Sequence, residues 1–195
     1  MKAMVNRKII LASGSPRRKE LCEKLGLEFE VVKSDFDEST IDFKNPKKLV
    51  YKLAEAKAEE VSNKDEITSD SLIISADTIV VFKGEILGKP KDELDAMRML
   101  KLLNGQKHQV YTAMCLLDMK TMTKRTSVVK TDVIFDKAKD ETIMDYIKSG
   151  EPMDKAGAYG IQDGGSVLIK KIVGDYYAVM GLSVNKLFTE LAKIK

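Results

Sequence analysis

Three β-rich runs constrain the fold more than anything else in the chain. Leu72 to Phe82 reads as one long strand, with Lys83-Gly84 as a hairpin turn into Glu85-Ile86-Leu87. Residues 107–118 and 123–135 read as two more, joined by a turn around Met119-Lys120. Long strands without helices between them argue against a pure βαβ array. They favour a mixed α/β (α+β) protein, with a strongly twisted mixed sheet flanked by helices. Elsewhere the pattern alternates. Strands are predicted at 7–12 and 28–32, and helices at 16–25 (closed by Gly26), from Asn45-Pro46 to about Val61, at 92–103, at about 140–148 and from about 183. A glycine-rich stretch at 150–165 precedes a predicted strand pair around 166–178. No repeat or low-complexity linker divides the chain, so 1–195 reads as a single domain.

At 195 residues the chain can bury a real core as one large domain or two small lobes. Its formal net charge of +3, with lysines scattered among acids, argues against a nucleic-acid partner. The apolar runs are far short of a membrane span, and no long apolar segment follows the basic residues Arg7-Lys8. A soluble, cytoplasmic protein is therefore expected. Cys22 falls in a helical pattern and Cys115 in an apolar strand pattern, where buried reduced thiols are expected. With His108 the only histidine, neither a Cys/His nucleophile nor a zinc site is expected. His108 itself is read as structural.

Several segments combine strand ends with charged residues. The run Leu11-Ala12-Ser13-Gly14-Ser15-Pro16-Arg17-Arg18 leads from a strand into a helix, with Ser15 placed to cap it and Pro16 in its first turn. Fixed cations at a helix start do little for folding, so an external anion is the beneficiary, unless this is an ordinary strand–helix connection. Asp35-Phe36-Asp37-Glu38 reads either as a solvated acidic loop or as oxygen ligands for a hard cation such as Mg²⁺. Lys57 by itself reads as a surface lysine near Glu60. Asp77 interrupts the apolar strand Ile73-Ile74-Ser75-Ala76-Asp77-Thr78-Ile79, where a buried carboxylate is costly unless paired or metal-bound. Lys89, between Gly88 and Pro90, can meet a phosphate as a point charge. In the stretch from Gly150 to Gln162, small residues allow close backbone approach to a ligand; Asp154 could add a carboxylate, and the Gln162 amide could read a base edge.

Taken together, these separated motifs resemble the Maf family of nucleotide pyrophosphatases, once described as septum-formation inhibitors. The resemblance rests on Leu11 through Leu21, Ser75-Ala76-Asp77-Thr78-Ile79-Val80, Leu87-Gly88-Lys89-Pro90, His108-Gln109-Val110-Tyr111-Thr112-Ala113 and Gly150 through Gln162, in that order. It implies the fold of inosine triphosphate pyrophosphatases, with a nucleotide cleft between two lobes. It implies hydrolysis of a nucleoside triphosphate between the α and β phosphates, with Mg²⁺ or Mn²⁺, and a homodimer. Asp77 matches the family's proton acceptor or, alternatively, is mainly a metal ligand alongside Glu38. Arg18, Glu38, Lys57 and Lys89 match its other catalytic or phosphate- and metal-handling residues, and Ser13 and Ser15 join Arg18, Lys57 and Lys89 at its phosphate-binding positions. Arg17, Thr78 and Gln162 match the positions that separate substrate branches, and resemble the branch acting on dTTP and UTP.

Two departures stand out. Asp163 follows Gln162 where the family usually has glycine, and Met180-Gly181-Leu182-Ser183 replaces a more usual ending in proline, with Ser183 expected to cap the last helix. The expected function is a pyrophosphatase for dTTP, UTP and modified pyrimidine triphosphates that cleans nucleotide pools. The alternatives are the same chemistry on 7-methyl-GTP or another modified base, or a non-catalytic nucleotide-binding regulator of septum formation.

Overall fold

The computed structural model describes residues 7–194. In chain order its elements are β1 (Ile9–Leu11), α1 (Pro16–Lys24), β2 (Glu30–Val31), α2 (Pro46–Ser62), β3 (Leu72–Phe82), β4 (Glu85–Leu87), α3 (Glu93–Leu103), β5 (Lys107–Asp118), β6 (Thr123–Phe135), α4 (Asp140–Lys148), β7 (Ile169–Val173), α5 (Tyr176–Met180) and α6 (Val184–Leu191). Short 3₁₀ turns lie at Glu38–Thr40, Glu151–Asp154, Ala156–Ala158 and Gly164–Leu168. The seven strands form one mixed sheet in the order β2-β1-β3-β5-β6-β7, with β4 on β3. The expected mixed α/β class is the one found. Pairing is parallel for β1 with β2 and β3, and antiparallel for β3–β4 and β6–β7.

The chain forms two compact units, one of residues 7–77, 112–129 and 181–194, the other of residues 78–111 and 130–180. In the first, all of β1 and the stretch Leu72–Asp77 are buried, as expected of parallel strands covered on both faces. Helix α2 starts where the sequence places it, because the Asn45 side chain accepts from the Lys48 N–H and Pro46 occupies the first turn. It buries Val50, Leu53, Ala54, Glu55, Ala58 and Val61 along one stripe. Ser183 caps α6 through the Lys186 N–H. Arg7 ties the start of β1 to the end of β5, with Nη1 and Nη2 at 2.9 and 2.7 Å from the two Asp118 carboxylate oxygens.

The second unit has its own apolar core. Helix α3 supplies Ala96, Met99, Leu100 and Leu103, and α4 supplies Ile143, Tyr146 and Ile147. His108, Phe135 and Tyr159 stand edge to face, with centroids 4.8–5.3 Å apart, and His108 Nε2 lies 2.7 Å from the Tyr159 hydroxyl.

One predicted element is corrected. The stretch 166–178 holds a single strand, β7, and then helix α5 rather than a strand pair. The chain leaves β7 at Gly174, whose φ of +135° suits glycine. The Asp175 side chain then accepts from the Ala178 N–H and opens the helix, while the Asp175 N–H donates to Thr131 Oγ1. The first strands are also shorter than expected, β2 being two residues long.

Candidate active site

The first unit gathers four charged residues from four parts of the chain. Asp77 lies on β3 three residues beyond its parallel pairing with β1, which ends at Ile74, and is 5% exposed. Two residues before it, Ser75 Oγ donates to the Ala54 carbonyl, fixing β3 against α2. Lys57, nearly one turn beyond Ala54, therefore meets Asp77, with Nζ 2.5 Å from Oδ1. The same ammonium lies 2.7 Å from Glu38 Oε1. Lys57 is accordingly not the surface lysine that its local sequence suggests. Its side chain is 12% exposed, and Glu60 pairs with Lys64 instead.

Arg18 adds a second cation. Its Nε donates to the Gly181 carbonyl at 3.0 Å and its Nη1 to Ser13 Oγ at 3.1 Å. Burial lowers its pKa, Asp77 and Glu38 oppose that shift, and Arg17 adds to it. The guanidinium stays charged regardless. These Coulombic influences place Arg18 within the field of the two carboxylates. Ser13 is buried, and its Oγ also accepts from the Ser15 N–H. Ser15 does occupy the position before α1, but its side chain makes no capping hydrogen bond, contrary to expectation. Helix α1 instead starts on Pro16 at its first turn.

The acidic run around Glu38 does not act as one cluster. Asp35 pairs with Lys64 at 2.8 Å, and Asp37 caps its own turn through the Ser39 N–H and hydroxyl. Only Glu38 reaches Lys57. No group of three or more His, Cys, Asp or Glu suited to a metal occurs among the described residues. What exists is a pair of carboxylates, Asp77 and Glu38, sharing one ammonium. Hard oxygen donors in that number suit Mg²⁺ or Mn²⁺ completed by phosphate oxygens and water, rather than a cage made by protein alone.

Of the other expected site residues, Arg17 is half-buried on α1, and Thr78 follows Asp77 as the first residue of the second unit. Lys89 is exposed in the loop after β4, also in the second unit. Gln162, half-buried, lies in a tight backbone segment of that unit. Asp154 pairs with Lys155 at 2.8 Å. Both thiols are free and buried, which pushes Cys22 up to about 12 and Cys115 up to about 11.

The segment carrying Gln162 rests on two side chains that its motif does not reveal. The Gly160 N–H donates to Tyr146 Oη at 2.9 Å, and the Gly164 N–H donates to Glu151 Oε2 at 2.9 Å. Tyr146 Oη donates in turn to Glu151 Oε1 at 2.9 Å. In the sequence Tyr146 is only one position of the helix predicted at about 140–148. The only hint of its second role is the glycines on either side of Gln162.

The fold and this cluster define a mixed-sheet α/β protein with a half-buried cation–carboxylate site. The fold is similar to that of a HAM1 protein from Coxiella burnetii, with a TM-score of 0.52 at 14% identity, covering 96% of this chain and 100% of that one. The chain belongs to the Maf-like protein family, matching it over residues 8–194. It is 48% identical over 182 residues to a dTTP/UTP pyrophosphatase of Clostridium novyi (strain NT), covering 93% of this chain and 94% of the relative. It is 50% identical over 185 residues to a dTTP/UTP pyrophosphatase of Clostridium perfringens (strain SM101 / Type A), covering 94% and 95%.

Proposed function

We propose that this protein hydrolyses dTTP and UTP to the nucleoside monophosphate and pyrophosphate. The observation that carries the reading is Asp77, a carboxylate inside an apolar strand, held 2.5 Å from Lys57 in a chain whose relatives bear the name dTTP/UTP pyrophosphatase. A protein that only bound nucleotide would gain nothing from a buried carboxylate beside a phosphate site. Without a metal it repels the ligand there.

The chemistry follows from charge. Attack of water on the α phosphorus forms one P–O bond and breaks the bond to the bridging oxygen, which leaves on pyrophosphate. Catalysis of that step needs charge neutralisation more than covalent help. In this reading Arg18, preset by Ser13 and the Gly181 carbonyl, donates its remaining N–H groups to phosphate oxygens. Lys57 turns from the carboxylates to the phosphates as the substrate arrives, and Lys89 adds a further cation. Asp77, released from Lys57, orients the attacking water and accepts its proton. Asp77 and Glu38 would hold Mg²⁺ or Mn²⁺, which when bound neutralises phosphate charge and makes water more acidic. Arg17, Thr78 and Gln162 are assigned to choosing the base. The protein is proposed to act as a cytoplasmic homodimer.

The test is pyrophosphate release from dTTP, UTP, CTP, GTP, 7-methyl-GTP, ITP and ATP with Mg²⁺ or Mn²⁺. Selective turnover of dTTP and UTP to monophosphates is expected. Turnover centred on a purine would overturn the roles of Arg17, Thr78 and Gln162. No turnover by folded, metal-supplied protein would overturn the enzymatic reading.

A further inference from the structure

We propose that Tyr146 and Glu151 are positioning residues that set the base preference by clamping the backbone on both sides of Gln162. This rests on the reading of Gln162 as the base reader and deepens it. A glutamine amide is by itself a degenerate reader. Its NH₂ can donate to O4 of uracil while its oxygen accepts from N3–H, and a half-turn of the amide matches N3 and the N4 amino group of cytosine equally well. Discrimination between the two bases therefore needs a second element that holds the side chain's backbone, and with it the approach of the amide, in one geometry.

The structure supplies such an element. The Gly160 and Gly164 N–H groups, two residues before and two after Gln162, are tied to Tyr146 Oη and Glu151 Oε2. The Tyr146–Glu151 hydrogen bond joins these two anchors into one bridge. The bridge is itself held. Tyr146 is buried in the second unit's core, and Glu151 is fixed at its backbone, its carbonyl accepting from Lys155 Nζ at 2.6 Å and its N–H donating to Ser149 Oγ. The fit leaves no room for side chains. A Cβ on Gly160 would lie 2.8 Å from Glu151 Oε1, and one on Gly165 would lie 2.7 Å from Tyr146 Oη and 2.3 Å from the Gly160 carbonyl oxygen. The hydrogen bond from Gly164 to a carboxylate is of the stronger, charge-assisted kind.

Four variants test this: Tyr146→Phe, Glu151→Ala, Glu151→Gln and Gln162→Ala. Each is assayed for kcat and KM on dTTP and dCTP, and for amide hydrogen exchange over residues 160–164. Tyr146→Phe and Glu151→Ala should lower the dTTP-to-dCTP selectivity by about tenfold, through KM rather than kcat, and speed exchange at Gly160 and Gly164. Glu151→Gln keeps an oxygen for the Gly164 N–H and should retain most of the selectivity. Tyr146→Phe removes one hydroxyl and keeps the ring packed, so it decides the matter even if Glu151→Ala fails to fold. Wild-type selectivity in Tyr146→Phe and Glu151→Ala, with selectivity lost in Gln162→Ala, would overturn the clamp and leave Gln162 as the reader. Wild-type selectivity in Gln162→Ala would overturn the base-reading role of Gln162 and the clamp's role with it.

Discussion

His108 offers a stability prediction that a single residue controls. It is 2% exposed, its Nε2 faces the Tyr159 hydroxyl, and its Nδ1 is buried without a hydrogen-bond partner among the described residues. Protonation would place a second N–H donor, and a charge, where nothing accepts it. Burial accordingly pushes the imidazole down from 6.5 to about 4, with Asp132 opposing the shift. The folded pKa lies below the unfolded one, so between these values the unfolded chain binds more proton. Stability is then complete above the unfolded pKa and falls with acid until the folded pKa is passed. Because His108 is the only histidine, this interval is nearly free of other titrations, the carboxylates acting mostly below pH 5. Integrated from pH 7 to pH 5, the loss is about 2 kcal/mol. Urea unfolding followed by circular dichroism at both pH values, with an unchanged denaturant slope, measures it. In His108→Gln the difference between the two pH values should vanish. Equal stability of the wild type at pH 7 and pH 5, or a histidine Cε1–H resonance titrating near the unperturbed pKa, would refute the reasoning.

Asp77→Asn should keep the fold and lower kcat on dTTP by at least about a hundredfold, a loss of general-base magnitude; steady-state kinetics near the wild-type rate would remove Asp77 from the mechanism. Asp118→Asn breaks the paired contact with Arg7 and should cost roughly 1–2 kcal/mol at pH 7. Arg7 holds the Asp118 carboxylate below its usual range, so that stabilisation is present above the unfolded pKa and disappears as pH falls through the lowered folded one. The difference between wild type and variant in urea unfolding should therefore close in acid. Gly157→Ala should destabilise by roughly 2 kcal/mol, because φ is +69° and the added Cβ would lie 2.9 Å from Val80 Cγ1. A thermal midpoint equal to wild type would contradict this.

The elements most readily read from the sequence are those whose causes are local. The boundaries 72–82, 107–118 and 123–135 agree with β3, β5 and β6: β3 and the second half of β5 are buried apolar runs, whereas β6, mostly unburied before Thr131, is marked by its β-branched residues and by alternating burial at its end. Asn45 and Ser183 mark helix starts because a cap bonds an N–H only three residues away. Where two local signals compete, the reading fails. Beyond β7, the residues 174–178 have the β-forming pair Tyr176-Tyr177, yet Asp175 caps a helix there, aided by Thr131 from β6.

The motifs and family resemblance named the candidate site residues, but the sequence by itself determined only their types and order. That Lys57 lies between Asp77 and Glu38 depends on the Ser75–Ala54 hydrogen bond, which joins a strand to a helix 21 residues away. That Asp35 and Asp37 turn to other partners while Glu38 does not depends on Lys64 and a 3₁₀ turn. That Tyr146 holds the segment of Gln162 depends on three glycines packing against it and Glu151. Periodicity and caps act over a few residues and are written along the chain. The partner of a buried charge is chosen by packing between distant segments, and only the tertiary structure decides it.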